Sequence, residues 1–213
     1  STLDRSSAAS DVYKRQSDDF SKLHDFKKEI RATDWLNGIV NNKEGSVGSS
    51  HNRILEHPDL YYIKKTLMYH FNDFIHSFCG VPYETDNCIT TSWLVRIKKG
   101  GRVHHHNHTN SWYSGLLYFD DDYTGAVPLS LENPYAAFNN FNVDMDNTFS
   151  PDGYYEVIPQ PNKIFFFPSY LKHMSAVQTG DKPRYTLAWN IYPKGKLGAS
   201  DSDSFLDTKW LNS

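Results

Sequence analysis

At 213 residues with a formal net charge of −3, the chain is long enough for one domain with a real core and too short for two large ones. That charge leaves no electrostatic footprint for nucleic acid or an anionic membrane surface, and no apolar run approaches the roughly 20 residues that a membrane span requires. Two cysteines, Cys79 and Cys88, are too few for a disulfide framework and no export signal opens the chain, so a reduced, cytoplasmic setting is expected.

Residues 1–19 are small, polar and without hydrophobic period, and are expected to be disordered or lightly docked. Within them, Ser6 to Gln16 resembles the translated adaptor sequence found at the ends of metagenomic reads, which would mean that the native N-terminus is missing. Phe20, Leu23, Phe26 and Ile30 then recur at helical spacing. Asn41 to Ser50 reads as a polar loop. A stronger helix follows, with Leu60, Ile63, Leu67, Phe71, Phe74 and Phe78 on one face, Pro58 at its first turn and Gly80 at its end.

From Ile89 onward the period changes to that of strands. Short β-prone runs cover Ile89–Lys98, Arg102–His108, Trp112–Phe119, Ala126–Leu131, Tyr154–Ile158, Lys163–Phe167, His173–Gln178 and Arg184–Tyr192, each bounded by turn residues. Eight strands after two helices is the arithmetic of a mainly β domain, a jelly roll braced by helices on one sheet. An eight-stranded Greek-key sandwich of another sort fits the pattern almost as well. The organisation is one domain over 20–213: helical support over 20–80, a core over 88–193 and a tail over 194–213.

The run His104-His105-His106-Asn107-His108 falls on an expected strand, where residues two apart share a face. His104, His106 and His108 therefore point together, and imidazole is the commonest metal ligand; a solvated polar strand is the bland alternative. On the last strand Arg184, Thr186, Ala188 and Asn190 share one face while Tyr185, Leu187, Trp189 and Ile191 share the other. One face must meet the core. If the other lines the mouth of the barrel, a buried arginine there calls for an anion, and guanidinium matches a carboxylate at two points. If it faces water, the arginine is simply solvated.

The order of these residues resembles the 2-oxoglutarate/Fe(II) oxygenases, and more narrowly a family of them found in bacteria and marine phages. That family reads His-x-His-x-Asn-Ser, Ser-Gly-x-x-Tyr, Phe-Pro-Ser-x-x-x-His, then Arg and a terminal Asn. Here stand His106-Asn107-His108-Thr109-Asn110-Ser111, Ser114-Gly115-Leu116-Leu117-Tyr118, Phe167-Pro168-Ser169-Tyr170-Leu171-Lys172-His173, Arg184-Tyr185-Thr186 and Asn190, with Trp93 matching an upstream tryptophan. The resemblance covers roughly Ile89 to Pro193 and implies a double-stranded β-helix, the cupin-like jelly roll. It implies further that His106 and His173 bind Fe(II), that Arg184 pairs with the distal carboxylate of 2-oxoglutarate with help from Thr186, and that Tyr118 and Asn190 assist in cosubstrate binding. The activity implied is an O2-consuming oxygenase, a hydroxylase above all, that releases succinate and CO2.

One departure from the wider superfamily stands out. His-x-Asp or His-x-Glu is usual there, whereas His108 holds the second position here. With His108 as a ligand the triad is three neutral imidazoles, the iron–cosubstrate centre is formally neutral, and halogenation is disfavoured. A register with His104 and His106 as the pair is the alternative. Asp120-Asp121-Asp122 reads as a solvated turn rather than a cation site, and the long segment Pro134 to Gly153 as a candidate substrate lid. The substrate, small-molecule or peptidyl, is not named by the sequence. Two other functions fit parts of the pattern: a three-histidine metal dioxygenase that needs no 2-oxo acid, and a non-catalytic metal-binding jelly roll.

Overall fold

The computed structural model describes residues 13–15, 19–32, 46–83, 85–134 and 153–209. The expected lid over Pro134–Gly153 lies almost wholly outside the described residues, as do most of residues 1–19. Twelve strands are found among the described residues: β1 (Tyr13–Arg15), β2 (Arg31–Ala32), β3 (Val47–Ser49), β4 (Asp86–Ile97), β5 (Tyr113–Tyr118), β6 (Leu129–Glu132), β7 (Tyr154–Val157), β8 (Lys163–Pro168), β9 (His173–Ser175), β10 (Arg184–Lys194), β11 (Lys196–Leu197) and β12 (Leu206–Asp207). A seven-stranded antiparallel sheet in the order β1-β8-β5-β10-β4-β3-β2 faces a three-stranded sheet in the order β7-β6-β9. This is the expected mainly β jelly roll, a double-stranded β-helix with helices on the outer face of its larger sheet.

Two cores follow from the alternation of side chains. On the helical side, Leu187, Trp189 and Ile191 of β10 meet Phe71 and Phe74, with Ile164 and Phe166 of β8 among them. Between the sheets, Phe165 and Phe167 of β8 join Tyr118, Leu129, Leu131 and Val157. β8 is thus buried on both faces, which is why its sequence reads as an unbroken apolar run instead of alternating.

The helical support matches its pattern, with local differences. Phe20 to Ile30 forms a tight 3-10 helix over Ser21–Glu29 that buries Leu23 and Phe26. It is clamped to the sheet by His24 Nε2 at 2.9 Å from the Phe119 carbonyl and by an ion pair of Lys27 with Asp120. The second helix runs through a 3-10 turn at Pro58–Leu60, the α-helix α1 (Tyr61–Asn72) and a wider turn over Asp73–Phe78. Gly80 ends it at φ +74, a left-handed conformation that glycine adopts without steric cost. No helix among the described residues is long and apolar enough to cross a membrane.

Two expectations need correction. The polar loop Asn41–Ser50 contains a buried strand, β3, paired with Val95–Ile97 of β4. Its glycine and serines have little strand propensity, so tertiary pairing and the burial of Val47 override the local signal. The strand expected over Arg102–His108 is no regular ladder. It touches β9 through the bridge His106–His173 and bonds between Val103 and Ser175, because the His104 carbonyl is taken by the His106 ring and the Val103 amide by the Ser175 hydroxyl. In the leader, expected to be disordered or lightly docked, Tyr13–Arg15 pairs with Ile164–Phe166 at the edge of β8. An open sheet edge accepts any extended segment through main-chain bonds, so this docking requires no particular side chains.

Candidate metal centre

His106, His108 and His173 converge between the two sheets, with their nearest ring nitrogens all within 4.8 Å of one another. Ring centroids lie 4.2 Å apart for His106 and His173, 4.9 Å for His108 and His173, and 5.4 Å for His106 and His108. They form the one such cluster of metal-binding side chains among the described residues, and His104 is not part of it. Of the two registers open in the sequence, the geometry brings together the one with His108. His105 turns outward to Glu132, with Nε2 at 2.8 Å from the carboxylate.

Each ring is oriented by its Nδ1. His106 Nδ1 lies 2.8 Å from the carbonyl of His104, and His173 Nδ1 lies 3.2 Å from the carbonyl of Leu171. A carbonyl only accepts, so both rings carry their proton on Nδ1 and keep the Nε2 lone pair for a ligand. His108 Nδ1 lies 2.7 Å from both the side-chain oxygen of Asn190 and the hydroxyl of Ser114. Burial pushes all three imidazoles below their ordinary titration range, His108 down to about 4, with the neighbouring imidazoles adding to the shift in His108 and His173. At neutral pH the cluster is three uncharged nitrogen donors. That set suits Fe, Zn, Cu or Ni and, on one side of the ion, leaves further positions open.

The turn that carries His108 is built by two motifs. Asn110 sits at φ +55, a left-handed position that asparagine tolerates, and it swings the chain from His108 into β5. Ser169, fully buried, braces this turn from the opposite side. Its carbonyl accepts from the His108 amide at 3.0 Å, its amide donates to Trp112 O at 2.9 Å, and its hydroxyl donates to Ser111 Oγ at 2.7 Å. Sequence alone gives Ser111, Ser114 and Ser169 no role beyond their fixed places in the motifs.

The cluster opens on a cleft of about 1050 Å³, and no aspartate or glutamate is among its described lining residues. At one end stand Arg184 and Thr186, on the shared face that the β10 pattern predicts; of the two alternatives left open, that face lines the cleft, and the residues are only 4% and 3% exposed. Arg184 donates from Nη1 to the Val127 carbonyl at 2.8 Å, while its Nε is buried without a partner. It makes no ion pair among the described residues. Tyr118 lies close enough for Arg184 to act on its phenol; its hydroxyl is fully buried and equally without a partner, and burial pushes its pKa up to about 12. A buried guanidinium and a buried phenol with free donors are costly unless something accepts from them. Toward the other end stand Trp93, whose ring meets His108 edge-on at 5.5 Å, with Thr91, Asn52 and Asn107. Asn190 lines the cleft, but its amide is engaged on both sides, at His108 and at Thr91 Oγ1, 3.0 Å away. The acidic turn holds no metal cluster: Asp120 pairs with Lys27 and Asp122 with Lys182.

Residues 91–190 match the family model described as "Putative 2OG-Fe(II) oxygenase". Over this stretch the chain is similar to that family. No curated protein matches it, so the remaining comparisons are structural. An oxidoreductase of the 2OG-Fe(II) oxygenase family from Burkholderia pseudomallei superposes with a TM-score of 0.55 at 9% identity, covering 80% of this chain and 76% of that one. A prolyl-4-hydroxylase from Pseudomonas putida gives 0.54 at 12% identity, covering 86% and 93%. HygX from Streptomyces hygroscopicus, solved with nickel, 2-oxoglutarate and hygromycin B bound, gives 0.51 at 10% identity over 86% and 83%. At such identities these likenesses establish the jelly-roll fold and leave the chemistry to the chain's own residues.

Proposed function

We propose that this 2OG-Fe(II) oxygenase is a hydroxylase that holds Fe(II) on Nε2 of His106, His108 and His173 and seats 2-oxoglutarate between the metal and Arg184. The observation that carries this reading is the buried, uncompensated guanidinium of Arg184 at the inner end of the cleft that contains the three histidines. A dicarboxylate fits both needs at once. One end reaches the metal, while the distal carboxylate accepts from Arg184 Nε and takes further bonds from Thr186 and Tyr118. Tyr118 stays a neutral phenol and therefore a donor across the working pH range.

When bound, the iron and 2-oxo acid supply the activation of O2 and the hydrogen abstraction. The protein supplies orientation and shelter. Its neutral imidazoles present lone pairs without first losing protons, the apolar walls from Val95, Val103 and Leu129 limit water, and Trp93 offers a flat face beside the metal. The cleft is roomier than the cosubstrate alone requires. The rest suits a small or peptidyl substrate with a flat or apolar part for Trp93 and hydrogen-bonding groups for Thr91, Asn52 and Asn107. With cationic Arg31 and no carboxylate among its described lining, it favours neutral or anionic substrates over cations. Cys88 is a free thiol, in keeping with work inside the cell.

The test is an anaerobic titration of metal-free protein with Fe(II) and then 2-oxoglutarate, reading the weak visible charge-transfer band of the chelated 2-oxo acid. The band is expected in the wild type, absent in His173→Ala, and dependent on much more 2-oxoglutarate in Arg184→Ala. Iron binding with no band at any 2-oxoglutarate concentration would refute the cosubstrate and leave a three-histidine dioxygenase. Succinate formation with a hydroxylated product in substrate screens supports the hydroxylase; succinate with a desaturated, cyclised or epimerised product would overturn that part alone.

A further inference from the structure

The three histidines are not held alike. The rings of His106 and His173 are fixed by carbonyls two residues earlier on their own segments, at His104 and Leu171. These acceptors are main chain and no substitution removes them. His108 has no such carbonyl. Its Nδ1 instead meets two side chains from other strands, Asn190 of β10 and Ser114 of β5, each at 2.7 Å. Asn190 and Ser114 are themselves opposite one another in the β5–β10 register and bonded at 3.0 Å.

We infer that Asn190 is the positioning residue of the third metal ligand: its side-chain oxygen, with the Ser114 hydroxyl, receives the Nδ1–H of His108 and thereby turns the His108 Nε2 lone pair toward the metal. The inference rests on the metal-centre reading above and changes the role of Asn190, which the family resemblance had placed with the cosubstrate. The amide is held from both ends, so its oxygen is fixed on the His108 side whatever its second N–H does. Asn190 Nδ2 donates to Thr91 Oγ1 at 3.0 Å across the β4–β10 pair, which leaves the oxygen on the His108 side. The Ser114 hydroxyl is anchored from behind, 2.8 Å from Ser169 Oγ, and Ser169 donates onward to Ser111. The acceptor is also neutral. A carboxylate at this point would draw the ring proton toward itself and make the imidazole a stronger ligand, whereas a carboxamide fixes the ring without adding charge. The chain therefore replaces the superfamily's carboxylate ligand by an imidazole held in place by an amide, and the site stays uncharged through both shells.

The experiment uses the full chain with Co(II), whose d–d spectrum reports the number and geometry of its ligands, together with Co(II) affinity and the 2-oxoglutarate affinity of the Co(II)-loaded protein. Asn190→Ala is expected to weaken Co(II) binding about 10- to 100-fold and to shift the spectrum toward that of His108→Ala. Asn190→Asp, which keeps an acceptor at the same place, is expected to restore the affinity. In a His108→Ala background, Asn190→Ala should cost no further affinity, since its partner is already gone. Thermal unfolding of the metal-free variants checks that each is folded. Wild-type Co(II) affinity and spectrum in Asn190→Ala would overturn the proposal, as would a 2-oxoglutarate defect with metal binding intact. A proton on Nε2 of His108 in the nitrogen NMR of the metal-free protein would overturn it too, because Nδ1 would then be accepting from Asn190 or Ser114 instead of donating. If Co(II) fails to bind the wild type at all, the metal-centre reading falls first, and only then this one.

Discussion

His106 and His173 exchange both main-chain hydrogen bonds, 3.0 Å from the His106 amide to the His173 carbonyl and 2.8 Å in return, while their side chains lie 4.2 Å apart between ring centroids. The bridge is one of few that tie the segment from Val103 to His108 to the smaller sheet. Backbone pairing and ligand convergence therefore occur at the same two residues. A metal bound there would add a cross-link exactly where the ladder is thin, and the effect should appear as stability. With Ni(II) at about 100 times its dissociation constant, unfolding should become harder by about 3 kcal/mol, and hydrogen exchange of the His106 amide should slow in parallel. A metal-independent unfolding midpoint would count against binding at this cluster.

Arg184 makes the opposite prediction for the metal-free protein. Its guanidinium is buried and its charge unpaired among the described residues, so the fold gains little from it. Arg184→Met should leave the metal-free unfolding midpoint unchanged or raise it. The same change should remove about 2–5 kcal/mol of 2-oxoglutarate binding, because the distal carboxylate would lose its partner. Calorimetry of the Ni(II)-loaded variant with 2-oxoglutarate measures the second effect and differential scanning the first. Lost stability together with unchanged cosubstrate affinity would mean that Arg184 is structural.

Tyr118 gives a pH dependence whose sign follows from burial. In the unfolded chain its phenol ionises near 10; in the folded protein ionisation is delayed to about 12. The folded state thus keeps a proton that the unfolded state gives up. The associated stability is complete below pH 10 and is lost as pH rises from 10 to about 12, at most about 3 kcal/mol from this group. Tyr123, raised in the same direction by burial, steepens the same alkaline limb. Tyr118→Phe should flatten part of the fall in unfolding midpoint between pH 9 and 12, leaving the remainder to Tyr123. An unaltered limb would place the free phenol in contact with water.

Much of the site was legible because its residues stand on strands. The period of two put Arg184, Thr186 and Asn190 on one face of β10, and the structure keeps them there. The spacing of His106 and His108 brought them to one side of an extended segment even though that segment forms no regular ladder. What the sequence hid was the work of short polar residues. Serine carries no periodic signal, so the links of Ser111, Ser114 and Ser169 to His108 appear only when three strands come together. The buried strand β3 was hidden for a related reason: Gly48 and Ser49 have little strand propensity, and the segment is held by pairing with β2 and β4. Within Ser114-Gly115-Leu116-Leu117-Tyr118 the alternation sends Ser114 to His108 and Tyr118 toward Arg184, while Gly115 answers to the helical side.

That last residue carries the sharpest packing prediction. Gly115 stands directly opposite Trp189 in the β5–β10 register. A Cβ at position 115 would lie 2.1 Å from Trp189 Cε2, 2.2 Å from Cζ2 and 2.5 Å from Nε1, far inside van der Waals contact. The indole has nowhere to retreat, being fully buried with Phe166 edge-on at 6.0 Å. Gly115→Ala should therefore cost at least the 1–3 kcal/mol usual for an overpacked core, with a shift in tryptophan emission as the ring is displaced. The strain should also reach the metal centre, because Ser114 and Asn190, the two acceptors of His108, are the immediate neighbours of Gly115 and Trp189 on these strands. Shrinking the indole tests this link directly. Trp189→Phe alone leaves a cavity and destabilises, but in combination with Gly115→Ala it should recover part of both the stability and the Co(II) affinity. Additive losses in the double variant would show that glycine is required at 115 for its backbone and not for the space it leaves to the tryptophan.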